Sequence, residues 1–327
     1  MKKFMNAPGD VLAESLSGFA AAHSDIISLD PANRFIRRRN LVPGKVGLVS
    51  GGGAGHEPLH LGFVGRGMLD AACLGRIFTS PTPEQIVAAA QTVDAGRGLL
   101  FIVKNYDGDR MNFQMAREIS GLGIDTVIAA DEAIQPLPGG ATRRRGLAGT
   151  MVMERMLGAA AERKFDRTGL LSLAERVNAA TRSMGVALSS CTVPEVGKPT
   201  FTISEHEMEL GVGIHGEAGR SRTAMMSANA IAKEVVSTIA GEIPIKGNAL
   251  VVVNGFGATP LIELYLMYNA FAAVLSKHQF NPVRRLVGNF VTSLDMAGCS
   301  LTVTALDDEL LGLWDDPVHT PALRWNA

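Results

Sequence analysis

The sequence has no excess of charge of either sign. Its 31 lysines and arginines meet 32 aspartates and glutamates, a formal net charge of -1. A nucleic-acid or anionic-membrane partner normally leaves a basic excess, so neither is expected. The short basic runs at 37–39 and 143–145 read as solvated surface. Long apolar runs are missing too. No stretch approaches the ~20 residues of a membrane span, and Lys2 and Lys3 have no apolar segment behind them, so neither a span nor a secretory signal is expected. Cysteine is scarce: Cys73, Cys191 and Cys299 are far apart and form no CxxC pair. Buried free thiols in a reducing, cytoplasmic setting fit that pattern. Nucleotide fingerprints are absent as well. No GxxxxGK[ST] occurs, and Pro58 stands where GxGxxG needs its last glycine. No cofactor is expected on this chain.

What is present is apolar substance and glycine. The 327 residues are 46% hydrophobic, ample for two cores. Many of the 36 glycines follow short apolar runs, as where strands end at the working edge of an α/β sheet. The fold class read from this is α/β, two domains, each a sheet flanked by helices. The boundary is set at 184/185, giving domains 1–184 and 185–327.

Local signals place the elements. A helix is expected from Asp10, as N-cap, to His23. A strand over 46–49 runs into the glycine loop 51–56. Thr82, Pro83 and Gln85 spell a capping box. A strand over 99–103 precedes a helix capped by Asp109, and another covers 125–130. The segment 131–145 reads as a loop. Helices follow over 146–164 and 171–184, and 200–215 alternates like a strand. Then come a helix at 221–240, a strand at 250–253, a helix at 260–277, strands at 286–291 and 300–305, and a helix from Asp307. The tail beyond Trp314 is expected on the surface.

Unusual polar residues cluster at three strand ends. His56-Glu57-Pro58-Leu59-His60 formally matches the zinc-protease pattern HExxH. That chemistry needs both histidines on one face of a continuous helix, which the glycines before His56 and the proline inside the motif oppose. No metal is expected. The loop either cradles a ligand with its backbone N–H groups or is a tight turn with His56 packed. Lys104 ends a strand and suits hydroxyl or carbonyl oxygens. Asp109 is either a general base or a plain helix cap. His215, between Gly213 and Gly216, is either a nucleophile toward a carbonyl or a satisfied loop histidine.

Taken together, the motifs GGGAGHEP (51–58), VKNYDGDRMN (103–112), RRGLAGT (144–150), GVALSSCTVPEVGKPTF (185–201), EMELGVGIHG (207–216), NGFGATPLIELY (254–265) and VGNFVTSLDMAG (287–298) resemble the substrate-binding component of dihydroxyacetone kinases. The resemblance runs over essentially the whole chain. It implies covalent capture of a short ketose as a hemiaminal on His215. It implies substrate contacts from Gly53, Ala54, Gly55, His56, Lys104 and Asp109, with His56 and Asp109 as the acid–base pair. Ala54 stands where such proteins commonly carry serine. The resemblance further implies a homodimer and a separate nucleotide-binding subunit, because no nucleotide domain follows within the 327 residues. ADP or ATP with Mg would sit on that subunit, the former recharged by a phosphotransferase-system protein. A four-carbon ketose such as erythrulose, or a non-catalytic ketose-sensing coactivator, are the alternatives it leaves.

Overall fold

The computed structural model describes residues 2–32, 34–133, 144–217 and 219–327. Most of the expected loop 131–145, Arg143 included, lies outside them.

The first half runs α1 (Val11–Ala22), β1 (Ile27–Leu29), β2 (Phe35–Arg38), β3 (Gly47–Ala54), β4 (Ala71–Ile77), α2 (Pro83–Val93), β5 (Leu99–Lys104), α3 (Asp107–Ser120), β6 (Ile124–Ala129), α4 (Gly149–Glu162) and α5 (Arg167–Ala180). The second runs β7 (Thr181–Ala187), β8 (Glu207–Leu210), β9 (Ser221–Ala224), α6 (Ala228–Glu242), β10 (Gly247–Gly255), α7 (Leu261–Lys277), β11 (Phe280–Gly288), β12 (Gly298–Ala305), α8 (Asp308–Asp315) and a closing pair, β13 (Val318–His319) and β14 (Arg324–Trp325). The α/β class with two helix-flanked sheets is what the sequence implied. Among the described residues, no helix is long and apolar enough to cross a membrane.

The first sheet has the order β1-β2-β4-β3-β5-β6. Its β4, β3, β5 and β6 are parallel, so their carboxyl ends share one edge. Strands buried on both faces read as continuous apolar runs. In β5 all of Leu99–Lys104 is buried, with Phe101 and Val103 packed under Ile86 of α2 and Phe113 of α3. Leu100 and Ile102 face Met151 and Val152 of α4 on the other side. The second sheet, β11-β10-β12-β7-β8-β9, is parallel only between β10 and β11. In β10, Val251 and Val253 pack toward α6 and α7, while Leu250 and Val252 join the core of the first half. One apolar body therefore spans both halves.

The helix caps sort by chemistry. Thr82 and Gln85 form both bonds of the capping box, with Pro83 in the first turn. Asp307 accepts from the Leu310 N–H, as expected. Asp10 makes no side-chain cap bond. Asp109 is not a cap either: Tyr106 holds the N-cap position of α3, and Asp109 lies within its first turn.

Other boundaries move. The strand expected at 46–49 continues through the glycines to Ala54, every residue buried. The helix expected over 171–184 starts at Arg167, capped by Asp166, and ends at Ala180, where the chain turns into β7. A cut between 184 and 185 would fall inside that strand. Of 200–215 only Glu207–Leu210 is strand. Ser221 opens β9, and the helix begins later with Ser227 as cap. The strand expected at 286–291 is Phe280–Gly288. The tail does not simply lie on the surface. Val318 is fully buried, and the buried guanidinium of Arg155 donates to the Trp314 and Asp316 carbonyls.

Candidate functional site

The site forms where the carboxyl edge of the first sheet meets two loops of the second half. β3 delivers the segment ending at His56. β5 ends on Lys104, and the first turn of α3 carries Asp109. The loop after β8 brings His215.

The glycines of β3 are there for close approach. A Cβ on Gly51 would lie 2.5 Å from the Cys73 carbonyl oxygen of β4, and one on Gly53 would lie 2.5 Å from the Thr79 nitrogen. At Gly52 the neighbour is different: a Cβ would sit 2.1 Å from Lys104 Nζ. The strand is bare so that a lysine ammonium can lie across it.

That ammonium is fully buried. It donates to the Gly51 carbonyl oxygen at 3.2 Å and to His60 Nε2 at 3.1 Å, and it forms an ion pair with Asp109, whose Oδ2 lies 3.0 Å away. The other Asp109 oxygen accepts a short bond from the Ser80 hydroxyl.

His56 is sealed from solvent. Its Nδ1 donates to the Thr292 carbonyl oxygen at 2.9 Å, which leaves Nε2 as a bare lone pair with no partner. Burial, His215 and Lys104 hold this imidazole well below its ordinary value, so it is neutral. The Thr292 N–H also donates to the His56 carbonyl at 3.1 Å, and the Leu294 N–H to that of Gly55 at 2.8 Å. The second half thus fixes the histidine of the first.

The His215 ring stands edge-on to His56 at 4.7 Å between centroids and to Tyr106 at 4.1 Å. Phe78 stacks on His56 at 5.1 Å. It takes a left-handed backbone at φ 55°, a conformation a large side chain keeps only when its surroundings hold it. His215 Nδ1 is shut in without a partner, so reaction with anything in the cleft falls to Nε2. Burial, then the Lys104 and Arg145 cations, push the ring down to about 3.

Arg145 clamps the His215 loop. Its guanidinium donates to Glu217 Oε1 at 2.7 Å, to the Gly211 carbonyl at 2.7 Å and to Glu132 Oε2 at 2.9 Å. Glu217 in turn accepts the His215 N–H at 2.8 Å.

A cleft of about 630 Å³ opens above these groups, with Phe78, Ser80, Tyr106, Asp109, Arg145 and His215 on its walls. Of the residues singled out in the sequence, the structure brings His56, Lys104, Asp109 and His215 together. Gly53 and Gly55 lie behind Phe78 instead of on the cleft wall, and the Gly55 N–H is already taken by Glu57 at 2.9 Å. Ala54 is buried beside them, its carbonyl accepting the Phe78 N–H at 3.0 Å. Phe78, Ser80 and Glu217 were not assigned to a site from the sequence, and Arg145, expected as solvated surface, instead turns inward to Glu132, Glu217 and the Gly211 carbonyl. Arg145 lies within the motif 144–150 and Glu217 directly follows 207–216, whereas Phe78 and Ser80 carry no local signal at all. His56 and His60 share no helix face; they meet different partners, Thr292 and Glu154.

The profile of the Dak1 domain matches residues 17–322. The chain belongs to the Dak1 domain family. Within that family, it is 42% identical over 356 residues to the dihydroxyacetone-binding subunit of the PEP-dependent dihydroxyacetone kinase of Escherichia coli (strain K12), covering 99% of each chain. Among solved structures, a dihydroxyacetone kinase operon co-activator superposes with a TM-score of 0.89 at 31% identity, over 94% of this chain and 96% of the other. The dihydroxyacetone kinase of C. freundii gives a TM-score of 0.90 at 32% identity, over 99% of this chain and 60% of that one.

The Arg145 clamp generates an expectation independent of activity. Arg145→Met leaves the Glu132 carboxylate short of donors and the Glu217 carboxylate unheld. Amide hydrogen exchange across 211–217 should quicken at least about tenfold, with a global loss of about 1–3 kcal/mol in denaturant unfolding. Unchanged exchange would remove the clamp.

Proposed function

We propose that this chain is the dihydroxyacetone-binding subunit of a dihydroxyacetone kinase, a phosphotransferase acting on an alcohol acceptor. The observation that carries the reading is the His215 ring on the cleft wall, neutral and with only Nε2 free to react, beside the bare Nε2 of His56 and the carboxylate of Asp109. The naming of the Escherichia coli relative supports it.

A triose offers few atoms to grip, so ordinary contacts give limited affinity. Covalent capture solves that. His215 Nε2 attacks the ketose carbonyl carbon, the π pair moves to oxygen, and the proton the ring gives up ends on that oxygen. The product is a neutral hemiaminal. Glycerol has no carbonyl and is refused by chemistry. The held hydroxyl then loses its proton to Asp109, with His56 as the second acid–base group, while a phosphoryl donor on a separate nucleotide-bearing subunit approaches in line. ADP or ATP with Mg belongs to that subunit in this reading. Its near-complete overlap with the Escherichia coli subunit supports a separate donor.

The structural likeness to a co-activator favours one other reading, ketose sensing without turnover. Both members of the acid–base pair are in place here, which favours the kinase.

Capture is tested by carbon NMR of carbonyl-labelled dihydroxyacetone. The ketone signal should become tetrahedral with the native chain and stay a ketone with His215→Ala. Protonation removes the attacking lone pair, so adduct is lost only as pH falls through the ring's own value. With His215 held down to about 3, adduct yield should stay level from about pH 8 to about pH 5, where an ordinary histidine would already be mostly protonated. A yield that halves near pH 6.5 would contradict the site as described.

Asp109→Asn should leave capture intact and lower kcat of the reconstituted kinase about 10²- to 10⁴-fold. Tight capture with no turnover by the native chain, with any donor subunit, would favour the sensor.

A homodimer is part of the same proposal. Leu261, Ile262, Tyr265 and Leu266 of α7 are each more than half exposed on one helix face, a surface that suits a second copy of the chain. Sedimentation should give a dimer, and Leu266→Glu a monomer; an unchanged dimer would move the interface elsewhere.

A further inference from the structure

The second histidine of the HExxH motif is absorbed neither by a metal nor by the capture chemistry. It is buried, it sits directly beneath the Lys104 ammonium, and a carboxyl group lies behind it. We infer that His60, locked in one tautomer by Glu154 and Ser50, is a positioning residue that holds Lys104 against Asp109 and so keeps Asp109 ready as the base.

The hydrogen positions follow from the partners. Lys104 Nζ can only donate, so at 3.1 Å His60 Nε2 must accept. A neutral imidazole with an accepting Nε2 carries its proton on Nδ1. That N–H meets Glu154 Oε1 at 2.5 Å and Ser50 Oγ at 3.0 Å. The Ser50 hydroxyl spends its own hydrogen on the Ile102 carbonyl at 2.7 Å, so toward His60 it is an acceptor. Each hydrogen bond has one possible direction: Lys104, ion-paired with Asp109, donates to His60, and His60 donates to Glu154.

The charges agree. Burial holds His60 well down, with Lys104 and His56 adding to the effect, and burial pushes Glu154 up to about 8. The ion pair in this chain of contacts is that of Lys104 and Asp109. The titratable groups facing it are Asp109 from α3, Glu154 from α4, His56 after β3 and His215 after β8. Gly52 supplies the room, since a side chain there would strike Nζ. Without His60 a buried ammonium would keep one N–H unmatched, and such a group gives up its charge more readily. A carboxylate that loses its neighbouring cation holds its proton to higher pH.

The inference rests on the kinase reading, and the test keeps the two apart. His60→Phe fills the space without a lone pair. His60→Gln keeps an acceptor and a donor. Both are assayed in the reconstituted kinase, and both are checked for the tetrahedral carbon signal on His215. For His60→Phe, we expect capture and ketose KM to stay within about twofold, kcat to fall at least about tenfold, and the acidic limb of the kcat profile to rise by about one pH unit. His60→Gln should recover part of kcat and return the limb. Wild-type kcat and limb in His60→Phe, with capture intact, would overturn the inference. If His60→Phe fails to fold, nitrogen NMR of the native chain decides. Nδ1 protonated and Nε2 bare supports the chain of bonds; the opposite tautomer overturns it. Loss of capture in the native chain would sink the kinase reading instead, and the tautomer measurement would still judge His60.

Discussion

The site depends on one electrostatic demand: a lysine ammonium at the end of β5 lies wholly out of water. A buried charge is tolerable only when paired and fully hydrogen-bonded. Lys104 meets two acceptors, the Gly51 carbonyl and His60, and one counter-ion, Asp109. Each of these constrains something further. The carbonyl requires β3 close by, which requires glycine at 52. Asp109 requires α3 to start at its observed angle. His60 requires Glu154 on α4 and Ser50 on β3.

The second constraint is that neither half contains the whole site. The first half holds the carboxylate, the lysine and His56. The second half holds His215 and the carbonyl of Thr292 that fixes the tautomer of His56. Arg145 closes the joint, because one guanidinium meets Glu132 on its own side and Glu217 and Gly211 on the other. A planar fork with five donors meets acceptors on both sides of the joint at once. The shared apolar core, with alternate residues of β10 facing each way, makes the joint rigid.

Much of this was legible in residue order. Thr82-Pro83-x-Gln85 and Asp307 named their helices because caps are local chemistry, read within four residues. The three motif segments named His56, Lys104, Asp109 and His215, which the fold brings together. Where the reading slipped, the deciding partner lay far away in sequence. Asp109 resembled a cap because it opens a helical pattern, yet its carboxylate turns to Lys104 and Ser80. The glycine run resembled a loop because glycine weakens strands in isolation, yet β4 and Lys104 press on it from both faces. Ser221 resembled a helix start, but pairing with β8 drew it into a strand.

The sequence by itself determined the class of fold, the family and which polar side chains would stand at the strand ends, because apolar pattern, turn chemistry and motif spacing are properties of neighbours along the chain. The tertiary structure decided their states. Which nitrogen of His56 is bare, which of His215 can react, and whether Lys104 faces outward or inward are fixed by Thr292, Tyr106, Phe78 and His60. Protonation and tautomer follow from burial and from what stands opposite, and those exist only once the chain has closed on itself.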